Sequence, residues 1–405
     1  MFRVLFAVVA ACVGAGTYAS AQTVLTFEDT IARAREQSGG VVVARARVAE
    51  AEAALRDASA RIRQNPLLEA HIGPRATDSG RTTDVDVGFS QQFETGGQWL
   101  ARIAAARAGI EREGAGASEV ARGAIFEAAT AFLTGVAAGE RLQLAEESDT
   151  VARQLLAATE RRYSAGDIAA IDVNLARIDS ARSAATLRAA RADLSSAVAA
   201  LRALLRLPAG EPLELRGSLD LPAPAALEQL RSVLESRPDF AAISAEVREA
   251  EAQAQLGRAL RRPDFGVRVG YEREAADTVV LGGLTVTLPT FQRGQGTLAA
   301  GLARSSRARL QLEVTRQRGT ADLASAYAAY EQRAALSSSF ANDTLPSIQD
   351  NETLARRSYE AGELGLMDYL LIRRDAIETR LAIIERRLET AHSRLTIDYI
   401  AGVLR

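Results

Sequence analysis

Asp172 and Asp368 are the carboxylates with the most suggestive surroundings in this 405-residue chain. Each follows a Tyr-x-x-Gly turn, Tyr163-Ser-Ala-Gly166 and Tyr359-Glu-Ala-Gly362, and lies six residues beyond its glycine. Glycine suits a helix that must reverse, because a left-handed backbone costs it little. The aspartate then falls in the first turn of the returning helix, where the helix dipole favours a carboxylate by about 0.3–1 kcal/mol. That is a sufficient structural reason for both; gathered around a narrow mouth, the same groups would favour cations. Tyr163 and Tyr359 read as packing for the turns. Asp179 and Asp375, about two helical turns further in, read as a solvated or salt-bridged face.

Other chemistry is hard to assemble. The only cysteine is Cys12 and the only histidines are His71 and His392, which excludes a cysteine zinc site, a disulfide framework and a Cys–His nucleophile. No Ser/His/Asp set or paired-carboxylate cleft can be read, and His71, on the polar side of an alternating segment, fits solvation better than metal binding. Gly114-Ala-Gly116 lies inside a helical pattern with no strand before it, so it is no phosphate loop; small residues there suit close helix packing. The net charge is −2 and the arginines are scattered, which argues against nucleic acid as a partner. No enzyme activity, metal or cofactor is expected.

The elements that would position the two turns are written twice. Tyr163 and Tyr359, Asp172 and Asp368, Leu175 and Leu371, and Asp179 and Asp375 all stand about 196 residues apart, too long a period for a solenoid. Asn65-Pro66 and Arg262-Pro263, then Gly97-Gln98 and Gly294-Gln295, repeat at nearly the same spacing. Each copy predicts a helix (about 41–64, about 240–262), two alternating strands, a very long helix (about 98–162, about 295–358) and a returning helix (about 168–207, about 364–403). A short helix near 26–37, started by Thr26 and Asp29, precedes the first copy. Pro346 should kink or split the second long helix, with Asp343 and Thr344 able to cap a restart. The domain reading is a signal peptide over 1–21, a first repeat over 22–207, a proline-rich connector over 208–238, and a second repeat over 239–405.

The leader has Arg3, an apolar run from Val4 to Val13 and the small residues Ala19-Ser20-Ala21. Val9-Ala10-Ala11-Cys12 also matches a lipoprotein site loosely, which would leave Cys12 acylated. No later stretch reads as a transmembrane helix, so a membrane would have to be crossed by strands.

The strands set Leu68, Ala70, Ile72 and Val85, Val87, Phe89 against Glu69, His71, Asp84, Asp86 and Ser90. In the second copy Phe265, Val267, Val269, Tyr271 and Leu284, Val286, Leu288 form the apolar, membrane-facing set. Polar loops, 74–83 and 273–278, join each pair. Four strands of about 9–10 residues can cross a bilayer, but a lipid-exposed sheet tolerates no edges, and the smallest natural barrels use about 8 strands. The strands must either stay in water or be pooled with identical copies; three chains would supply about twelve. The polar faces would then line a wet lumen, and Phe93, Trp99 and Phe291 would suit an aromatic belt.

With the duplication, the paired hairpins and both Tyr-x-x-Gly turns with their aspartates, the chain resembles the TolC family of outer-membrane efflux channels. Leu288-Pro-Thr-Phe-Gln-Arg-Gly-Gln-Gly296 is similar to a segment of its heavy-metal (CzcC-like) branch, and Gln91–Gly97 to the first-copy counterpart. The resemblance implies a mainly α fold with a small β part. Long antiparallel helical hairpins would form an α-barrel, and four transmembrane strands per chain would join a 12-stranded trimeric β-barrel. The implied place is the outer membrane with a large periplasmic portion, and the implied role is a passive exit duct. Implied partners are outer-membrane lipid, a periplasmic adaptor and an inner-membrane pump of the resistance–nodulation–division (RND) type. Asp172, Asp368 and Tyr359 would form the periplasmic gate, and Tyr163, Gly166, Tyr359 and Gly362 the adaptor-docking tips. A further acidic family position is Leu371 here, which thins the ring. Divalent metal cations are the expected cargo; drugs or secreted proteins remain alternatives, as does a soluble periplasmic coiled-coil scaffold.

Overall fold

The computed structural model describes residues 23–78, 80–209, 212–274 and 277–404. The leader and Cys12 lie outside the described residues. β1 (Thr23–Thr26) runs into α1 (Phe27–Gln37) through the expected cap: Thr26 Oγ1 accepts from the Asp29 N–H at 3.1 Å, and Asp29 accepts from the Thr26 N–H at 3.2 Å. Next come α2 (Gly39–Ala58), the hairpin β2 (Leu67–Thr77) and β3 (Gly80–Phe93), α3 (Gln98–Ser164) and α4 (Ala170–Leu205). The connector holds β4 (Leu213–Arg216) and α5 (Leu227–Val233). The second copy follows with α6 (Pro238–Ala259), the hairpin β5 (Asp264–Glu274) and β6 (Asp277–Thr287), α7 (Gln295–Ser339), α8 (Leu345–Glu360) and α9 (Leu366–Ala401).

At 67 residues, or ~100 Å, α3 is the spine. It packs against α1, α2, α4, α6 and α9, and α6 lies between it and α7. The main core sits midway, where the chain's start, its connector and its end converge. Leu25, Phe132, Leu133, Leu201, Leu205, Leu219, Leu395 and Leu404 form one buried cluster there. β1 and β4 pair in parallel above it, and β4 lies so close to α3 that a Cβ on Gly135 would stand 2.4 Å from Leu215. The result is a mixed α/β band at the waist of the molecule.

Several expectations are corrected. α2 and α6 stop at Ala58 and Ala259, short of the strands, because the arginine-rich segments that follow break off the apolar repeat. The strands run to 11, 14, 11 and 11 residues, so the hairpins reach into the stretches read as polar loops. Cross-strand ion pairs such as Arg75 with Asp84 (2.6 Å) and Glu274 (2.9 Å) stabilise those polar extensions. Pro346 does divide the second long helix, but through a π-helical segment, Phe340–Thr344, that absorbs its missing donor. Thr344 keeps helical dihedrals and makes no side-chain cap. Gly114 and Gly116 meet no other element within 4 Å of a would-be Cβ; close approach is made instead at Gly257 against Leu298 and at Gly301 against Ala254. Among the described residues one helix, α3, is long and apolar enough by length and composition to cross a membrane, contrary to the sequence reading, though half of that window is buried in the chain.

Candidate functional site

Both helical hairpins close through the same main-chain turn. Gly166 (φ +81°) and Gly362 (φ +79°) take the left-handed conformation, their N–H groups return to the carbonyls of Tyr163 and Tyr359, and the next residues' N–H groups reach Arg162 and Ser358. A side chain at either glycine would have room but not the right φ.

The side chains then part company. Tyr163 is exposed, whereas Tyr359 stacks on buried Tyr369 (centroids 5.1 Å apart, planes at 9°), with the Arg162 guanidinium 5.9 Å from the Tyr359 ring centroid. Burial pushes the Tyr369 hydroxyl above its ordinary value, with nearby Arg373 pulling the other way. Leu155, Ala176, Ala355 and Leu366 complete a small core that joins the two tips. Asp172 is half-buried and Asp368 exposed, and neither has an ion pair among the described residues.

Asp179 is salt-bridged, as one of the two sequence readings had it. It accepts from buried Arg373 at 2.6 Å, and Arg373 also donates to the Ser148 carbonyl at 2.5 Å and hydroxyl at 3.0 Å. Arg373 thereby ties α9 to both α3 and α4. Nothing local in the sequence flagged it, since arginine is the chain's common cation. Asp375 stays exposed. His392 is half-buried on α9 beside the Thr130 carbonyl, and burial holds its pKa below the usual histidine value.

At the far end, four strands form one sheet in the order β2-β3-β5-β6, every neighbour antiparallel. Directly paired residues point to the same face. Leu68 pairs with Phe89 and Phe89 with Val269; Ala70 with Val87 and Val87 with Tyr271; Phe93 with Phe265 and Phe265 with Val286; Gln91 with Val267 and Val267 with Leu284. Six of the seven sequence-chosen residues therefore share one broad apolar face. Leu288 lies just beyond β6, with the same alternation. The face is uncovered by the chain: Leu284 is 81% and Ile72 74% exposed.

The opposite face is mainly polar, with Val279 and Leu281 on its β6 edge. Arg268 reaches Glu69 at 3.4 Å across Gly88, and Gln92 donates to Thr287. His71 stands 3.8 Å from Asp86 and is 73% exposed, so solvation is the better reading of it. Among the described residues no group of His, Cys, Asp and Glu is arranged to hold a metal ion. β2 and β6 are free edges.

A sheet with one lipid-suited face, one wet face and two open edges, carried on hairpins of helices ~100 Å long, defines a channel subunit that spans a membrane with strands. The outer membrane efflux protein family matches residues 30–205 and 230–403, and the chain belongs to that family. It is 28% identical over 346 residues to the cobalt-zinc-cadmium resistance protein CzcC of Cupriavidus metallidurans, covering 85% of this chain and 82% of that protein. Its fold matches CusC, in crystal structures describing folding and transmembrane channel formation (TM-score 0.73, 19% identity, 93% of this chain, 92% of that one). It also matches the Campylobacter jejuni CmeC outer membrane channel (TM-score 0.75, 15% identity, 93% and 85%). The chain is an outer-membrane efflux channel subunit with a large periplasmic portion, and its relatives are channel proteins rather than enzymes.

Proposed function

We propose that three copies close their sheets edge to edge into a 12-stranded barrel above a periplasmic helical tunnel, and that this duct passes divalent heavy-metal cations outward. The observation that carries the assembly is the uncovered apolar face flanked by free edges on β2 and β6, which is untenable for one chain in lipid. A soluble scaffold would leave the same face in water. The metal cargo is supported by the likeness to CzcC over most of both chains and by the Leu288–Gly296 segment. Drug cargo has only the fold-level likeness to CmeC behind it.

In this reading an inner-membrane RND pump and a periplasmic adaptor deliver the cargo. The tips at Tyr163, Gly166, Tyr359 and Gly362 receive the adaptor, and Asp172, Asp368 and Tyr359 line the periplasmic gate. The chain divides into a leader over 1–21, repeats over 22–207 and 239–405, and a connector over 208–238 that serves the equatorial band. Support for the gate is geometric: among the described residues Asp172 and Asp368 have no cation to neutralise them. The deciding experiment is detergent extraction of the full chain, mass by light scattering, and planar-bilayer recording. Trimers that conduct, and a deletion strain that retains zinc or cobalt, are the expected results. Monomers stable in buffer without detergent would overturn the assembly.

A further inference from the structure

All four strand–helix junctions lie at one end of the sheet: residues 59–66 before β2, 94–97 after β3, 260–263 before β5 and 288–294 after β6. Hydrogen bonds tie the first three into a rim, and the fourth packs on it where Gly294 meets Leu260. Gln91 donates to the Gln64 carbonyl at 2.9 Å, Trp99 to the Ser59 carbonyl at 3.0 Å, and Arg262 to the Gly96 carbonyl at 2.9 Å.

This rim carries Arg61, Arg63, Arg261, Arg262 and Arg293, all exposed. Ion pairs run along the helical part of the molecule, yet none of these five has a carboxylate within ion-pair distance among the described residues. The rim's own acids are used inward. Glu94 is taken by buried Arg102 at 2.6 Å, and Asp264 accepts from Gln98 at 2.9 Å. Helix capping does not explain Arg61 and Arg63 either, because Arg102 already donates to the carbonyls of Ala58 (3.3 Å) and Ala60 (3.1 Å) at the end of α2.

Beside the arginines stand bare apolar side chains: Ile62, Leu260, Leu288 and Phe291, the last 89% exposed. Arg61 lies 5.6 Å over the Trp99 ring. The apolar residues continue the uncovered sheet face, so the rim begins where that face ends. Guanidinium groups, aromatic rings and aliphatic side chains in one band suit the headgroup level of a bilayer, where the stem stays in hydrocarbon and the charge meets phosphate.

We propose that this rim is a collar for anionic phospholipid headgroups of the periplasmic leaflet, with the unpaired arginines on the phosphodiesters and Phe291 and Ile62 among the first methylenes. The proposal rests on the outer-membrane reading above. It separates the roles of the two charged surfaces: on the polar sheet face Arg75 and Arg268 are both held by carboxylates, and the collar leaves its arginines for lipid.

The test reconstitutes the full chain into vesicles of phosphatidylethanolamine alone or with about one-third phosphatidylglycerol, then measures by mass spectrometry the lipid that trimers retain on extraction. Wild type should retain phosphatidylglycerol several-fold above its bulk share. Arg61→Gln/Arg63→Gln/Arg261→Gln should insert and conduct but retain only the bulk ratio; Arg262 and Arg293 are spared because they hold the Gly96 and Thr290 carbonyls. Salt at about 0.5 M should strip the enrichment from wild type, a readout that does not depend on the variant folding. Equal retention by both proteins, or no enrichment in wild type that has inserted, overturns the collar alone. So does unchanged lipid retention in a variant that instead loses binding to an acidic protein. Failure of wild type to enter either vesicle overturns the channel reading and the collar with it.

Discussion

Asp172 and Asp368 occupy equivalent first turns, and neither has an ion pair among the described residues. Asp179 has lost that freedom to Arg373. Replacing Asp172 and Asp368 together with asparagine should lower the cation-over-anion permeability ratio in bilayer recordings several-fold, whereas Asp375→Asn should leave it alone; an unchanged ratio removes the pair from the gate. A second residue-scale expectation concerns the waist. Arg387 on α9 grips the Asp220 carboxylate of the connector at 3.0 and 2.8 Å and also Glu140 on α3 at 2.7 Å. Its hydrogen bonds hold the Asp220 pKa below the ordinary aspartate value. A depressed carboxylate pKa stabilises the fold above the unfolded value near ~3.9 and ceases to do so as pH falls through the folded value. Asp220→Asn should therefore lower the melting temperature at pH 7, with the gap to wild type closing as pH falls below the unfolded value; a gap independent of pH would refute the assignment. The turn motif by itself gave both tip tyrosines the same packing role, and only the resemblance set Tyr359 apart. Only packing showed that Tyr359 is braced by Tyr369 and that Tyr163 is free.

Strands and helices were legible because their side-chain periods, two and 3.6, are local properties. Their ends were less so. β2, β3, β5 and β6 outrun the apolar alternation since, once aligned, Arg75 and its carboxylate partners pair across the strands, an interaction with no signal in either strand alone. Which glycines mediate close helix contact was also misjudged, because small size permits approach without saying what approaches. Gly257 faces the start of α7, where a Cβ would stand 2.4 Å from the Leu298 nitrogen; Gly114 faces nothing in the chain. Gly257→Val should cost on the order of 1–3 kcal/mol or prevent folding, and Gly114→Ala should leave the extracted protein as stable or up to ~1 kcal/mol more so. Denaturation of both in detergent separates the two; equal effects would mean that helix spacing near the membrane is set elsewhere. The π-helical segment before Pro346 has no counterpart in α3, so the two copies share a plan without sharing a stiffness.

Across the whole molecule, the two hairpins of distant copies meet through β3 and β5 to make one sheet, and that sheet stops at β2 and β6. Completion by other chains predicts a face-dependent tolerance to charge. Leu284→Arg on the apolar face should cost about 2–4 kcal/mol in lipid and reduce trimer yield. Gly283→Glu, one residue along on the polar face opposite Arg268, should leave assembly intact and alter conductance. Gel mobility of unheated trimers and single-channel recording distinguish these outcomes, and equal assembly of both variants would mean the apolar face does not meet lipid. From sequence alone came the duplication, the turns, the alternation of the strands and the shortage of strands for a closed barrel. All of these follow from spacing along the chain. The tertiary structure decided which charges are cancelled and which stay free. It also decided which tyrosine is braced, and that the apolar sides of all four strands join into one continuous surface. Those outcomes depend on what lies opposite, and residues nearly two hundred positions apart are brought opposite only by folding.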